Sequence, residues 1–147
     1  MFLDLIPISA QQKNMRNYLT PKEWDILRRI TYKKYAYKCA ICGGQGRSHP
    51  VEAHEEWAFS HDTIILIDVV ALCPTCHRLK HINFYRHDLH TFRALIRRYA
   101  YQHNITEAIA RTFIYNQFDM YDMQMLKQWK LDTSSIQRYY KEVTCTH

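Results

Sequence analysis

The stretch Leu72-Cys73-Pro74-Thr75-Cys76-His77-Arg78-Leu79-Lys80-His81 sets two cysteines at metal-knuckle spacing beside two histidines four residues apart. Thiolates and imidazoles are the side-chain donors that suit zinc best. Pro74 can serve as the first residue of a helix, because a first-turn N–H has no intrahelical partner to lose. Such a helix, running through His81 into Asn83 or Tyr85, turns Leu79 and Ile82 to the core and puts His77 and His81 on one face, a turn apart.

Upstream, Cys39-Ala40-Ile41-Cys42-Gly43-Gly44 repeats the knuckle spacing, and thirty residues separate Cys42 from Cys73. Two Cys-x-x-Cys pairs at that distance predict a closed four-thiolate site, which is structural because no coordination position stays open. Glycine after the second cysteine lets the backbone take positive φ, so that amides can point at the thiolates. The fifth cysteine, Cys145, stands near the C-terminus and is assigned no role.

Between the knuckles the periodicity changes. Val51, Ala53, Glu55 and Trp57 alternate with Glu52, His54 and Glu56, the pattern of a strand. A loop over 60–63 follows, and Ile64 to Leu72 is almost continuously apolar apart from Asp68, which predicts a buried returning strand. The hairpin brings His54 beside the helix that carries His77 and His81. Three neutral imidazoles leave coordination positions for water or a phosphate oxygen, the arrangement of a catalytic metal.

These residues resemble the HNH endonucleases with their ββα-metal fold. The resemblance is carried by Cys39-Ala-Ile-Cys42, by Val51-Glu-Ala-His54-Glu55 and by Leu72-Cys-Pro-Thr-Cys-His77-Arg-Leu-Lys-His81. More narrowly, Glu-Ala-His-Glu-x-Trp followed by Ala-Leu-Cys-Pro-x-Cys-His is similar to a subgroup of small HNH-like proteins common in bacterial and phage genomes. The motifs are specific over about residues 38–82. They imply hydrolysis of DNA phosphodiester bonds at one divalent ion, Zn²⁺, Mg²⁺, Mn²⁺ or Ni²⁺, with a separate structural Zn²⁺ on Cys39, Cys42, Cys73 and Cys76. By position His77 and His81 match the helix ligands.

Two registers are open on the strand. In one, His54 is the third ligand and Glu55 stands where the family has its general-base histidine; in the other, His54 is the base and Ala53 leaves the ligand position empty. The first completes a three-histidine site and keeps Val51 and Ala53 inward, and is preferred. It makes the base a glutamate, with less driving force for proton removal than histidine. Asp68 occupies the place of the family's base-orienting Asn.

Farther out, Thr20-Pro21 with Glu23 three residues on forms a capping box, opening a helix with Trp24, Leu27, Ile30 and Thr31 on its apolar face. Its other side is basic, with Lys22, Arg28, Arg29, Lys33 and Lys34. Downstream, Asp88 can cap a helix bearing Leu89, Phe92, Leu95, Ile96 and Tyr99, and Asn104 or Thr106 starts another. After Trp129 the period breaks, and the tail reads as a short helix or strand. The chain of 147 residues is thus expected to be one α+β domain: an arm over 1–19, a basic helix over 20–36, an HNH ββα-metal core over 37–86 and a helical extension over 87–147.

There are 20 Lys plus Arg against 14 Asp plus Glu, a net charge of +6 that favours a polyanionic partner. DNA is the expected one, contacted through Lys38, Arg78, Lys80, Arg93, Arg97 and Arg98; a non-catalytic protein of the same fold that binds DNA or a protein partner is the alternative. No apolar run reaches membrane-spanning length, and the N-terminus lacks a basic segment before its apolar residues, so the expected location is the cytoplasm of a bacterial or phage-infected cell.

Overall fold

A computed structural model describes residues 3, 5, 6 and 14–146. Five helices and a three-stranded sheet follow in the order α1 (Pro21–Lys34), β1 (Glu52–Ser60), β2 (Thr63–Leu72), α2 (Pro74–Lys80), α3 (Leu89–His103), α4 (Glu107–Gln124), β3 (Lys130–Leu131) and α5 (Thr133–Cys145). The mixed α+β class is as expected. Most of the expected arm lies outside the described residues. Its end does not behave as a loose lead-in: Met15–Asn17 forms a 3₁₀ turn and Met15 is fully buried.

Four of the five helices start where a side chain takes an orphan N–H, and α2 starts on Pro74, which has no N–H to satisfy. Thr20 accepts from the Glu23 amide at 3.2 Å, and Glu23 accepts from the Thr20 amide at 2.7 Å, closing the capping box on α1. Asp88 caps α3, Thr106 caps α4, and Asp132 caps α5 by accepting from Ser134 and Ser135. The tail is therefore mainly a helix. Leu131 pairs in parallel with Ile64 just before it.

The sheet order is β1-β2-β3, so β1 is an edge strand among the described residues. β1 and β2 are antiparallel, from Glu52 opposite Leu72 to Ser60 opposite Thr63, with a bulge where Glu56 faces Asp68 and Trp57 faces Leu66. The extra residue is Ile67, which is exposed. Because it absorbs one step of the alternation, Leu66 and Val69 both face one core although they stand three positions apart. That core joins Met15, Leu27, Trp57, Ile64, Trp129 and Ile136, and seals one face of the hairpin under α1 and α5.

The other face carries Glu52, His54 and Glu56 on β1 and packs against α2. Leu79 and Ile82 pass from α2 into a second core with Phe92, Leu95, Ile96, Ile114 and Phe118 of α3 and α4. The α-helix is shorter than expected. It ends at Lys80, and the chain tightens into a 3₁₀ turn over Ile82–Tyr85, which keeps Leu79 and Ile82, three residues apart, fully buried on one side. Among the described residues no helix is long and apolar enough to cross a membrane.

Candidate metal centres and the cavity beside them

The four knuckle cysteines converge, their sulfurs lying within 4.8 Å of one another. Cys42 Sγ is 3.8 Å from Cys73 Sγ, far beyond a disulfide bond. It matches the roughly 3.8 Å between sulfurs that each stand about 2.3 Å from a tetrahedral zinc. Gly43 takes φ +68°, as its place after Cys42 predicts. Gly46 is needed for a different reason: a Cβ there would stand 2.3 Å from the His49 carbonyl oxygen and 2.6 Å from Pro74 Cδ.

Burial and the neighbouring sulfurs split the thiols of the cluster, lowering Cys39 and raising Cys73 and Cys76. The Cys39 thiol is pushed down to about 4, first by the hydrogen bond with Cys76 Sγ and then, against burial, by backbone amides including those of Ile41 and Cys42. Cys76 moves up, because it holds the proton that Cys39 gives away. Gln102 of α3 donates to Cys76 Sγ at 3.0 Å, a contact that no local motif announces. The donor set and spacing fit a zinc-like ion.

The second cluster brings together His54, His77 and His81, one donor nitrogen of each lying within 4.8 Å of the others. Ring centroids are 5.0 Å apart for His54 and His77, 4.9 Å for His54 and His81, and 5.0 Å for His77 and His81. The rings meet at 75°, 62° and 63°, so they converge edge-on around a centre and do not stack. His54 is only 3% exposed. The three nitrogens are close enough together to hold one metal ion.

Glu52, to which sequence reasoning gave no role, orients the set. His77 Nδ1 donates to Glu52 Oε2, and His49 Nε2 lies 2.6 Å from Glu52 Oε1. An ionised carboxylate only accepts, so the proton of His77 is on Nδ1 and its Nε2 is left for a metal. Burial opposes the charge on Glu52, but the hydrogen bonds from His77 and His49 outweigh it and hold the carboxyl below its ordinary range. Burial lowers His77, against the pull of Glu52, which favours the neutral, ligating form.

A cavity of about 340 Å³ opens beside the triad, lined by His54, His77, His81, Glu55, Arg16, Trp24, Asn14, Asn83 and Phe84 among others. Neighbours on a strand point to opposite faces, yet His54 and Glu55 both reach this space. Ala53 and Trp57, on the Glu55 face of β1, line it as well. Burial pushes the Glu55 carboxyl up, against the Met15 amide, which donates to its Oε1 at 3.0 Å, and against the charge of Arg16. Arg16 is exposed and its charge is felt at both Glu55 and His77, yet it lay in the stretch read as an arm and was not singled out.

The expected phosphate contacts divide. Lys38, Arg78, Arg93 and Arg97 are exposed. Arg97 meets Glu107 at 3.5 Å, and Arg98 is half-buried with its guanidinium over Tyr101. Lys80 is a correction: it is 6% exposed and its Nζ meets Glu56 Oε1 at 3.1 Å, because its place on α2 turns it against β1. Asp68 does not orient Glu55 either; it accepts from Tyr139 Oη at 2.6 Å and from the Val69 amide at 2.8 Å. On α1, Arg28 and Arg29 are both drawn to Asp25, so part of the basic face is neutralised within the helix. Cys145 is exposed at the end of α5 and far in sequence from either cluster. No family model, curated protein or solved structure matches the chain.

Proposed function

We propose that the chain is an HNH-type, metal-dependent endonuclease that hydrolyses phosphodiester bonds of DNA, with a structural zinc on the four cysteines and a divalent ion on His54, His77 and His81. The observation that carries the reading is the union of three converging imidazoles with Glu55 and Arg16 around one cavity. A hairpin followed by a short helix, with ligands on both, is what a ββα-metal core requires.

A divalent ion in the triad supplies Lewis-acid polarisation of the scissile phosphate and charge neutralisation at the leaving oxygen. The chain supplies the rest. Glu55 takes a proton from the attacking water, its carboxylate made more basic than an ordinary one by burial. Arg16 offers a guanidinium to the phosphate from the cavity wall. Glu52 keeps His77 in its tautomer, and the buried placement of His54 excludes water from behind the site.

One observation favours a second reading, a non-catalytic protein of the same fold that binds DNA or a protein partner. Glu55 accepts the Met15 amide, so its carboxylate also anchors the end of the arm. Nicking of supercoiled plasmid in Mg²⁺, Mn²⁺, Ni²⁺ or Zn²⁺ separates the two. Cleavage that is lost in His54→Ala, Glu55→Gln and His77→Ala supports the enzyme. DNA binding without cleavage in any of these metals supports the second reading.

A further inference from the structure

Resting on the reading of this site as a nuclease, we infer that the cavity takes a single unpaired nucleotide, so that the substrate is single-stranded or locally opened DNA and not intact duplex. The first ground is depth. His54 is 3% exposed, and the triad is reached through a cavity of about 340 Å³, at the small end of ligand pockets. That space suits one nucleotide and is too small for a base pair. A phosphate that reaches the imidazoles must therefore arrive on a strand whose partner has been left outside.

The second ground is the chemistry of the wall. Phe84 follows His81 by three residues, is 64% exposed, and its ring centroid lies 5.8 Å from that of His81. Trp24 reaches the same cavity from α1, with the Arg16 guanidinium 5.0 Å from its ring centre. An exposed aromatic ring beside a metal site, with a second aromatic and an arginine on the wall, is a stacking platform for a base with a phosphate contact next to it.

Fluorescence anisotropy with labelled oligonucleotides tests this, using the full chain carrying His77→Ala to prevent turnover. Single-stranded oligoadenylate should bind at least about tenfold more tightly than a blunt duplex of the same length. Phe84→Ala should weaken single-strand binding about 5- to 100-fold while leaving the circular dichroism unchanged, as expected for an exposed ring. Equal affinity for single strand and duplex, or no effect of Phe84→Ala, overturns the inference. Plasmid cleavage by the parent protein that ignores Phe84 leaves the nuclease reading standing and this inference fallen. Phe84-dependent single-strand binding in a parent protein that cuts nothing does the reverse.

Discussion

Glu52 shows how one side chain can govern a site without touching the reacting atoms. It accepts from His77 Nδ1 and so fixes which nitrogen faces the cavity. Glu52→Gln should lower affinity for a divalent ion at the histidine cluster about 10- to 100-fold, measured by titration calorimetry, with the cysteine cluster unaffected. Tyr139 plays a comparable part in the sheet. Its hydroxyl accepts from the Val69 amide at 3.0 Å and donates to Asp68 at 2.6 Å, holding the backbone beside the bulge. Tyr139→Phe should cost about 0.5–1.5 kcal/mol in urea unfolding, because the hydroxyl's hydrogen bonds are lost while the Val69 amide and Asp68 keep each other. The ligands themselves were legible from spacing alone, since Cys-x-x-Cys and histidines four apart are local patterns. Glu52, Gln102 and Arg16 were not, because their partners lie in distant parts of the chain and nothing in their own neighbourhoods marks them.

At the scale of elements, the capping box and the bulge make opposite demands. α1 begins as its sequence predicts, and Thr20→Ala should destabilise the protein by about 0.5–2 kcal/mol in thermal or urea melts. The bulge was not visible, because β2 reads as an unbroken apolar run with no alternation to interrupt. Deleting Ile67 should restore a continuous ladder yet turn either Leu66 or Val69 away from the core; proteolytic susceptibility and loss of a cooperative melt would report it. α2 illustrates the same limit. The helical period carried through to Asn83 or Tyr85, but the packing of Leu79 and Ile82 against α3 and α4 favoured a tighter turn after Lys80. His81, at the helix end, still meets His54 and His77, so the shortening left the ligand set intact.

Taken whole, the protein has a hairpin between two apolar layers and a small cysteine-centred cluster at one end. Cys39, Val70, Leu72, Cys73 and Cys76 form that third cluster, which ties the segment after α1 to the junction of β2 and α2. With so few apolar residues, it is held mainly by the cysteines. Mass spectrometry under native conditions should find about two metal ions per chain, falling to about one in Cys39→Ser or in His77→Ala. Exhaustive chelation should lower the melting temperature by more than ten degrees if the thiolate ion organises this end, and leave it nearly unchanged if it does not. Gly46→Ala should act like partial metal loss, since a Cβ there collides with His49 and Pro74 beside the knuckles.

By itself the sequence determined which residues have metal-donor chemistry, the hairpin between the knuckles and the helices that follow, because donor spacing, alternation and capping are written within a few neighbouring residues. It also carried two registers for His54 and Glu55, and the inward alternation of Val51 and Ala53 favoured the one with His54 as a ligand. Tertiary structure brought His54 within a ring of three imidazoles and set Glu55 on the wall of the same cavity. It likewise turned Lys80 inward, took Asp68 away from the site, and brought Arg16 and Trp24 to the cavity wall. Each of those outcomes depends on which surfaces meet, and contact between distant segments leaves no trace in local periodicity.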